Sequence, residues 1–276
     1  MAITASDVNK LRQQTGAGMM DCKNALVESN GDFEAAVDIL RKKGQKIAAK
    51  RGENDAKEGL VFAQTTEDAK TGVVLALNCE TDFVAKNDGF RTFVQSLVDV
   101  ALSNLPETAE ELKALKYDDK LTVEEKITEQ VGVIGEKLDL SQFAVLKADT
   151  VVAYNHPGNQ LATLVALNSG SETAIEAGRQ VAMQVAAMNP IALDKDGVDA
   201  RTIEREIEVG KDLAIQEGKP AEMAEKIAQG RLSKFFKENT LLSQEFVRDN
   251  KVTVEQFLAN TEKGLTVTEF KRFSLS

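Results

Sequence analysis

The chain has no tryptophan, one histidine, two cysteines and only 5% aromatic residues among its 276 positions. A core short of rings must be built from Leu, Val, Ile, Ala and Phe. With 42% hydrophobic residues there are enough of these for one large domain or two to three small ones. Cys22 and Cys79 are too few for a disulfide framework in a chain of this length. No apolar run approaches the roughly 18–20 residues that a membrane-crossing helix takes, and Met1-Ala2-Ile3-Thr4 carries no apolar targeting segment. The expectation is a soluble cytoplasmic protein in a reducing compartment, with no membrane partner. Positive charge is also in deficit: the net charge is -10, so phosphate backbones are repelled and direct nucleic-acid binding is not expected.

Catalytic residue types are equally sparse. With a single histidine, His156, a Cys–His nucleophilic pair could occur only once, and neither cysteine has that histidine near it in sequence. There is no phosphate-loop motif, no dinucleotide fingerprint and no zinc-ligand spacing. Gly16-Ala17-Gly18 follows a helical pattern rather than a strand. Carboxylates are spread along helix surfaces, as solvation and i, i+4 pairing require. The reading is of a binding protein, not an enzyme, with no cofactor and no metal.

What is present is organised. Residues 4–44 read as three short helices. Thr4 or Ser6 caps the first, Gly16-Ala17-Gly18 breaks it, the second ends at Asn30-Gly31, and Asp32 caps the third. Phe33, Ala36, Val37 and Leu40 give the third an apolar face, and Arg41-Lys42-Lys43-Gly44 suits its end. Lys46, Lys50 and Arg51 extend the basic run, and Gly52-Glu53-Asn54-Asp55 reads as a linker.

Strand patterns follow at 59–63 and 72–78, then a helix with Phe90, Phe93, Val94, Leu97, Val98, Ala101 and Leu102 on one face. Helical stretches at 107–115 and 122–137 and a strand at 143–146 come next. The pattern then recurs: strands at 151–154 and 161–168 turn at His156-Pro157-Gly158-Asn159 before a helix through Ile175, Val181, Val185 and Met188. Val74-Leu75-Ala76-Leu77-Asn78 and Leu164-Val165-Ala166-Leu167-Asn168 sit at matching places, which reads as a strand-strand-helix duplication. The first copy has the longer strand-to-helix link, Cys79 to Gly89, where function is expected.

Residues 199–217 and 220–237 read as an antiparallel helical hairpin turning at Gly218-Lys219-Pro220. Ile203, Ile207, Gly210 and Ala214 form one seam and Met223, Ile227 and Gly230 the other, with both glycines expected at close approaches. Strands near 241–247 and 265–273 flank a short helix at 253–259. The fold class expected is α+β, divided as 1–52 (helical bundle and basic linker), 53–149 and 150–276, the last holding the hairpin at 199–237.

Two stretches carry a resemblance. Leu11 through Leu26 (LRQQTGAGMMDCKNAL) is followed by Asn30-Gly31-Asp32, and Asn78 through Asn87 reads NCETDFVAKN. Together they resemble the two signatures of the elongation factor Ts family, in the same order and separation. The resemblance covers essentially the whole chain, including Gly218-Lys219-Pro220. It implies an N-terminal three-helix bundle like a ubiquitin-associated (UBA) domain, a duplicated core and an inserted coiled coil. It implies guanine-nucleotide exchange on elongation factor Tu, with Thr81, Asp82, Phe83 and Val84 dislodging the partner's Mg²⁺. Arg12, Met19, Met20 and Lys23 are the matching contact candidates at the N-terminal module. His156 is carried with them as a partner-contact candidate, its plainer role being a surface turn residue. Some members carry a further C-terminal helical module, and this chain is expected to be a form lacking it. A homodimer or a two-to-two complex is compatible with the family.

The residues also admit plainer roles. Asp82 can be a helix N-cap. Phe83 lies seven positions before Phe90 and, in one unbroken helix, would share its apolar stripe and pack in the core, although Asn87-Asp88-Gly89 interrupts that helix. Met19 and Met20 diverge by about 100°, so one is expected to be exposed. The rival function is a ribosome- or RNA-associated protein using the basic segment 41–51, which has no aromatic residue for base stacking.

Overall fold

The computed structural model describes residues 3–275. Met1, Ala2 and Ser276, on which part of the terminal reading falls, lie outside the described residues. The chain opens with α1 (Ala5–Thr15), α2 (Met19–Glu28) and α3 (Phe33–Arg51). Thr4, not Ser6, caps α1, and its capping box with Asp7 satisfies two amides reciprocally. Asp32 caps α3 by accepting the Ala35 N–H at 3.1 Å. Val8, Leu11, Cys22, Ala25, Leu26 and Ala36 close the small core between these helices.

The remaining elements are β1 (Glu58–Thr65), β2 (Thr71–Cys79), α4 (Asp82–Ala85), α5 (Asp88–Asn104), α6 (Ala109–Ala114), α7 (Val123–Ile134) and β3 (Asp139–Lys147). Then come β4 (Thr150–Asn155), β5 (Leu161–Leu167), α8 (Glu172–Met188), α9 (Ala200–Gln216), α10 (Ala221–Asn239), β6 (Glu245–Phe246), β7 (Asp249–Thr253), α11 (Val254–Thr261) and β8 (Val267–Ser274). The architecture is α+β. Two antiparallel three-stranded sheets form, in the orders β1-β2-β3 and β4-β5-β8.

Alternation along the central strands explains the layering. Val73, Leu75, Leu77 and Cys79 on one side of β2 pack with Phe90, Val94 and Leu97 of α5 and with Val131 of α7. Val74 and Ala76 on the other side meet Leu164 and Ala166 of β5 in a separate core between the sheets. Val165 and Leu167 turn away towards α8 and α11. Both central strands are thus buried on both faces, which is why each reads as a continuous apolar run. Each fully covered Leu or Val contributes roughly 1.5–3 kcal/mol of transfer free energy.

Three expectations are corrected. First, α3 does not stop at Gly44 but continues to Arg51. Gly44 lies against α7, where a side-chain carbon added to Gly132 would stand 2.6 Å from the Gly44 Cα. Beyond that crossing Ile47 and Ala48 join the core under the first sheet, so burial carries the helix past the glycine. Second, the proposed strand at 241–247 is reduced to Glu245–Phe246. Residues 240–244 form a turn instead, with the Ser243 and Gln244 N–H groups both donating to the Thr240 carbonyl. A strand not foreseen, β7, pairs with that remnant.

Third, the hairpin of α9 and α10 has a different second seam. Gly210 does approach Ala228 closely: an added carbon would lie 3.1 Å from the Ala228 Cα. Gly230, however, has nothing within 4 Å, and Met223 is exposed. Among the described side chains of α10 the buried ones are Ala224, Ala228 and Leu232, spaced by four, so the helix is rotated from the expected phase. Ion pairs Arg231–Glu217, at 2.7 Å, and Lys211–Glu225 span the hairpin.

Candidate functional site

The site grows out of the end of β2. Cys79 is the last strand residue, fully buried, and its thiol is pushed up to about 12 by burial and by the nearby Glu136 carboxylate. It is therefore an inert core thiol rather than a nucleophile. Glu80 follows, and its carboxylate collects four hydrogen bonds from three donors. Arg51 Nη1 lies 2.9 and 2.8 Å from its two oxygens, Asn54 Nδ2 donates at 3.0 Å, and the Lys137 N–H donates at 2.6 Å. The Lys137 backbone hydrogen bond first, then the Arg51 and Asn54 side chains, hold the Glu80 carboxyl below the usual range.

Thr81, not Asp82, caps the next helix: its Oγ1 accepts the Val84 N–H. Asp82 is the first helical residue and pairs with Lys86 at 2.6 Å, the hydrogen bond that keeps its carboxyl low. Four residues cannot hold a helix by themselves, because nucleation costs more than a single turn returns. Tertiary contacts hold α4 instead. Ala85 is buried and Val84 packs against the core under the first sheet. Asn87 ends the turn and caps α5 by accepting the Gly89 and Phe90 N–H groups.

Between these anchors Phe83 points outward, 84% exposed. The stripe with Phe90 does not form, since the chain breaks between α4 and α5; Phe90 is buried and Phe83 is not. An exposed phenylalanine forgoes roughly 1.5–3 kcal/mol of burial.

A second exposed apolar spot lies on α2. Met19 and Met20 are 56% and 63% exposed. The exposure expected of one of them is found for both, which sit in the first turn of α2. Arg12 and Lys23 are exposed as well. His156 is exposed in its turn and shares a 3.0 Å hydrogen bond with the Tyr154 hydroxyl. That turn is tied to α5 and β1, because Arg91 donates to Asn159 Oδ1 at 2.8 Å and the Val61 N–H donates to the Asn159 carbonyl at 2.6 Å.

Sequence reasoning missed Glu136. It lies between α7 and β3, far along the chain, yet Oε2 accepts the Glu80 and Thr81 N–H groups at 3.1 and 3.0 Å and Oε1 accepts the Thr81 hydroxyl at 2.6 Å. Nothing in its sequence neighbourhood signals that role. Among the described residues no group of three His, Cys, Asp or Glu side chains is placed to hold a metal ion. Among the described residues no helix is long and apolar enough to cross a membrane.

The comparisons with known proteins agree with one another. A family model described as Elongation factor TS matches residues 80–276, beginning inside the segment that carries Phe83. Elongation factor Ts of Amoebophilus asiaticus is 55% identical over 273 residues, covering 99% of this chain and 98% of its own length. Elongation factor Ts of Cytophaga hutchinsonii is 53% identical over 275 residues, covering 99% of each chain. Elongation factor Ts of Porphyromonas gingivalis is 47% identical over 276 residues, covering 100% of this chain and 99% of its own. An identity near one half along almost the full length is common descent, and the chain belongs to the elongation factor Ts family.

Proposed function

We propose that this chain is a cytoplasmic guanine-nucleotide exchange factor for elongation factor Tu, and that Phe83 is the group that loosens the nucleotide. Phe83 stands out of a short helix whose two ends are anchored, 84% exposed, and that observation carries the reading. A ring held rigidly in water gains its burial energy only in a partner's pocket. Inserted there, it shifts the partner elements that hold Mg²⁺. Loss of the cation leaves the phosphate charge unneutralised and weakens nucleotide binding. Asp82, charged and half-exposed beside the ring, adds a polar or like-charge contact near the metal. Linkage makes the effect reciprocal: a factor that prefers the nucleotide-free state lowers nucleotide affinity by the same ratio. No bond is made or broken by this chain.

Arg12, Met19, Met20 and Lys23 form the second contact of this reading, on the N-terminal module. Exposed methionines suit an adaptable protein surface, and the two cations add steering. His156 contributes a third contact from a turn tied to α5. The same reading takes 1–52 as a UBA-like module and treats 53–149 and 150–276 as related halves. In its favour, Val74 and Ala76 face the inter-sheet core just as Leu164 and Ala166 do. Against the RNA-binding alternative, Arg41, Lys43 and Arg51 face Glu129, Asp21 and Glu80, so half of the basic run is already paired within the chain.

The test is Phe83→Ala in a stopped-flow measurement of fluorescent GDP release from elongation factor Tu. The fold should be intact, since the residue is 84% exposed. Release should slow about 10- to 100-fold, the equivalent of the burial energy the ring would lose. Release at the wild-type rate would remove Phe83 from the mechanism.

A further inference from the structure

Phe83 can act as a wedge only if the turn that carries it resists being pushed back. The four-residue α4 supplies no such resistance itself. On its C-terminal side Val84 and Ala85 are seated in the core. On its N-terminal side the Glu136 side chain is bonded to both the Glu80 and Thr81 N–H groups and also receives the Thr81 hydroxyl. Both carboxylate oxygens are used, and all three donors sit within three residues of Phe83. The next residue along, Lys137, returns the tie: its N–H donates to Glu80 at 2.6 Å. Two adjacent residues of the α7–β3 loop therefore clasp two adjacent residues of the β2–α4 corner.

We infer that Glu136 is a positioning residue for exchange: its carboxylate fixes the Thr81 corner so that Phe83 is presented rigidly to the partner. The inference rests on the exchange-factor reading of Phe83. Hydrogen bonds to a charged acceptor are among the stronger ones, and two backbone N–H groups and one hydroxyl share this carboxylate. Without them the turn keeps its seat in the core at Val84 but gains freedom at Thr81. The ring then yields when it meets the partner, and insertion loses its preorganisation. Binding through the N-terminal contact is untouched, so the maximal release rate falls while the concentration for half-maximal effect hardly moves.

Full-length Glu136→Ala and Glu136→Gln are compared with wild type by steady-state exchange on GDP-loaded elongation factor Tu. The expected kcat falls about tenfold for Glu136→Ala, with KM changed less than about twofold. Glu136→Gln falls in between, because the amide oxygen still accepts while the charge is gone. Amide hydrogen exchange at Glu80 and Thr81 should speed up in Glu136→Ala. In the Phe83→Ala background, adding Glu136→Ala should slow release less than about twofold further, since a positioning residue has nothing left to position. A merely structural glutamate would give independent, additive losses, and that result overturns the inference. So does an unchanged kcat in Glu136→Ala, or a change confined to KM. Should Glu136→Ala fail to fold, Glu136→Gln carries the same kinetic and double-variant tests. If Phe83→Ala itself releases GDP normally, the wedge reading fails and this inference with it. If only the Glu136 variants are normal, the wedge stands and the positioning role falls.

Discussion

Replacing Gly132 by alanine tests how the N-terminal helices are held against the core. The added carbon would stand 2.6 Å from the Gly44 Cα, whereas ordinary carbon contacts fall at about 3.5–4.0 Å. The obstacle is backbone, so no side chain can rotate away, and α3 must move by about 1 Å. Overpacking of this kind costs about 1–3 kcal/mol. Alanine also raises helix propensity over glycine by about 0.8–1.0 kcal/mol, which offsets part of that loss. The net expectation is a loss of about 1–2 kcal/mol, since a clash with backbone lies at the severe end of that range. Gly44→Ala is the control. Its carbon would meet the Thr128 carbonyl oxygen at 3.2 Å and the Gly132 Cα at 3.4 Å, a shortfall of a few tenths of an ångström. There the propensity gain should nearly cancel the crowding. Urea unfolding gives the global free energies, and native-state hydrogen exchange of the α3 amides shows whether the loss is local undocking. A Gly132→Ala protein as stable as wild type, with α3 equally protected, would refute the close-approach argument. It would mean that propensity alone governs the site.

The hairpin offers a matched pair of the same logic. Gly230→Ala meets nothing within 4 Å and should stabilise α10 by about 0.5–1 kcal/mol in thermal unfolding. Gly210→Ala, with Ala228 at 3.1 Å, should instead be neutral or destabilising. Cys79 gives a pH-dependent expectation. The thiol is pushed up to about 12, so it stays protonated and unreactive until the pH nears that value, whereas an unfolded cysteine ionises near pH 8.5. Native protein at pH 8.5 should therefore resist thiol-specific alkylation at Cys79 and lose that resistance in denaturant, as peptide mass spectrometry would show. Because the folded thiol ionises at higher pH than the unfolded one, its contribution to stability is fully present below about pH 8.5 and is lost progressively as the pH climbs from there towards 12.

Local patterns determined much of this protein. Alternation and continuous apolar runs located the strands of both sheets, because a strand buried on two faces leaves no room for polar residues. The i, i+3, i+4 stripe of Phe90, Phe93, Val94 and Leu97 determined α5, and Gly218-Lys219-Pro220 determined the hairpin turn. The N-terminal helix boundaries were legible from Thr4 and Asp32, whose side chains act within a few residues of themselves. The two signature stretches were also legible as strings of residues.

Tertiary structure decided what depends on partners distant in sequence. Gly44 has every local property of a helix stop, yet α3 runs on because Gly132 lets it lie against α7 and Ile47 reaches the core. The phase of α10 followed from the side chains of α9, which no pattern within α10 contains. Phe83 could have been core or surface by spacing alone. Its exposure was decided by the break between α4 and α5 and by the seating of Val84 and Ala85. Glu136 lies more than fifty residues from the corner it holds, and only the folding of α7 back onto the first sheet brings it there. Sequence records local hydrogen bonding and hydrophobic period. Which carboxylate meets which amide is settled only when the sheets and helices close on one another.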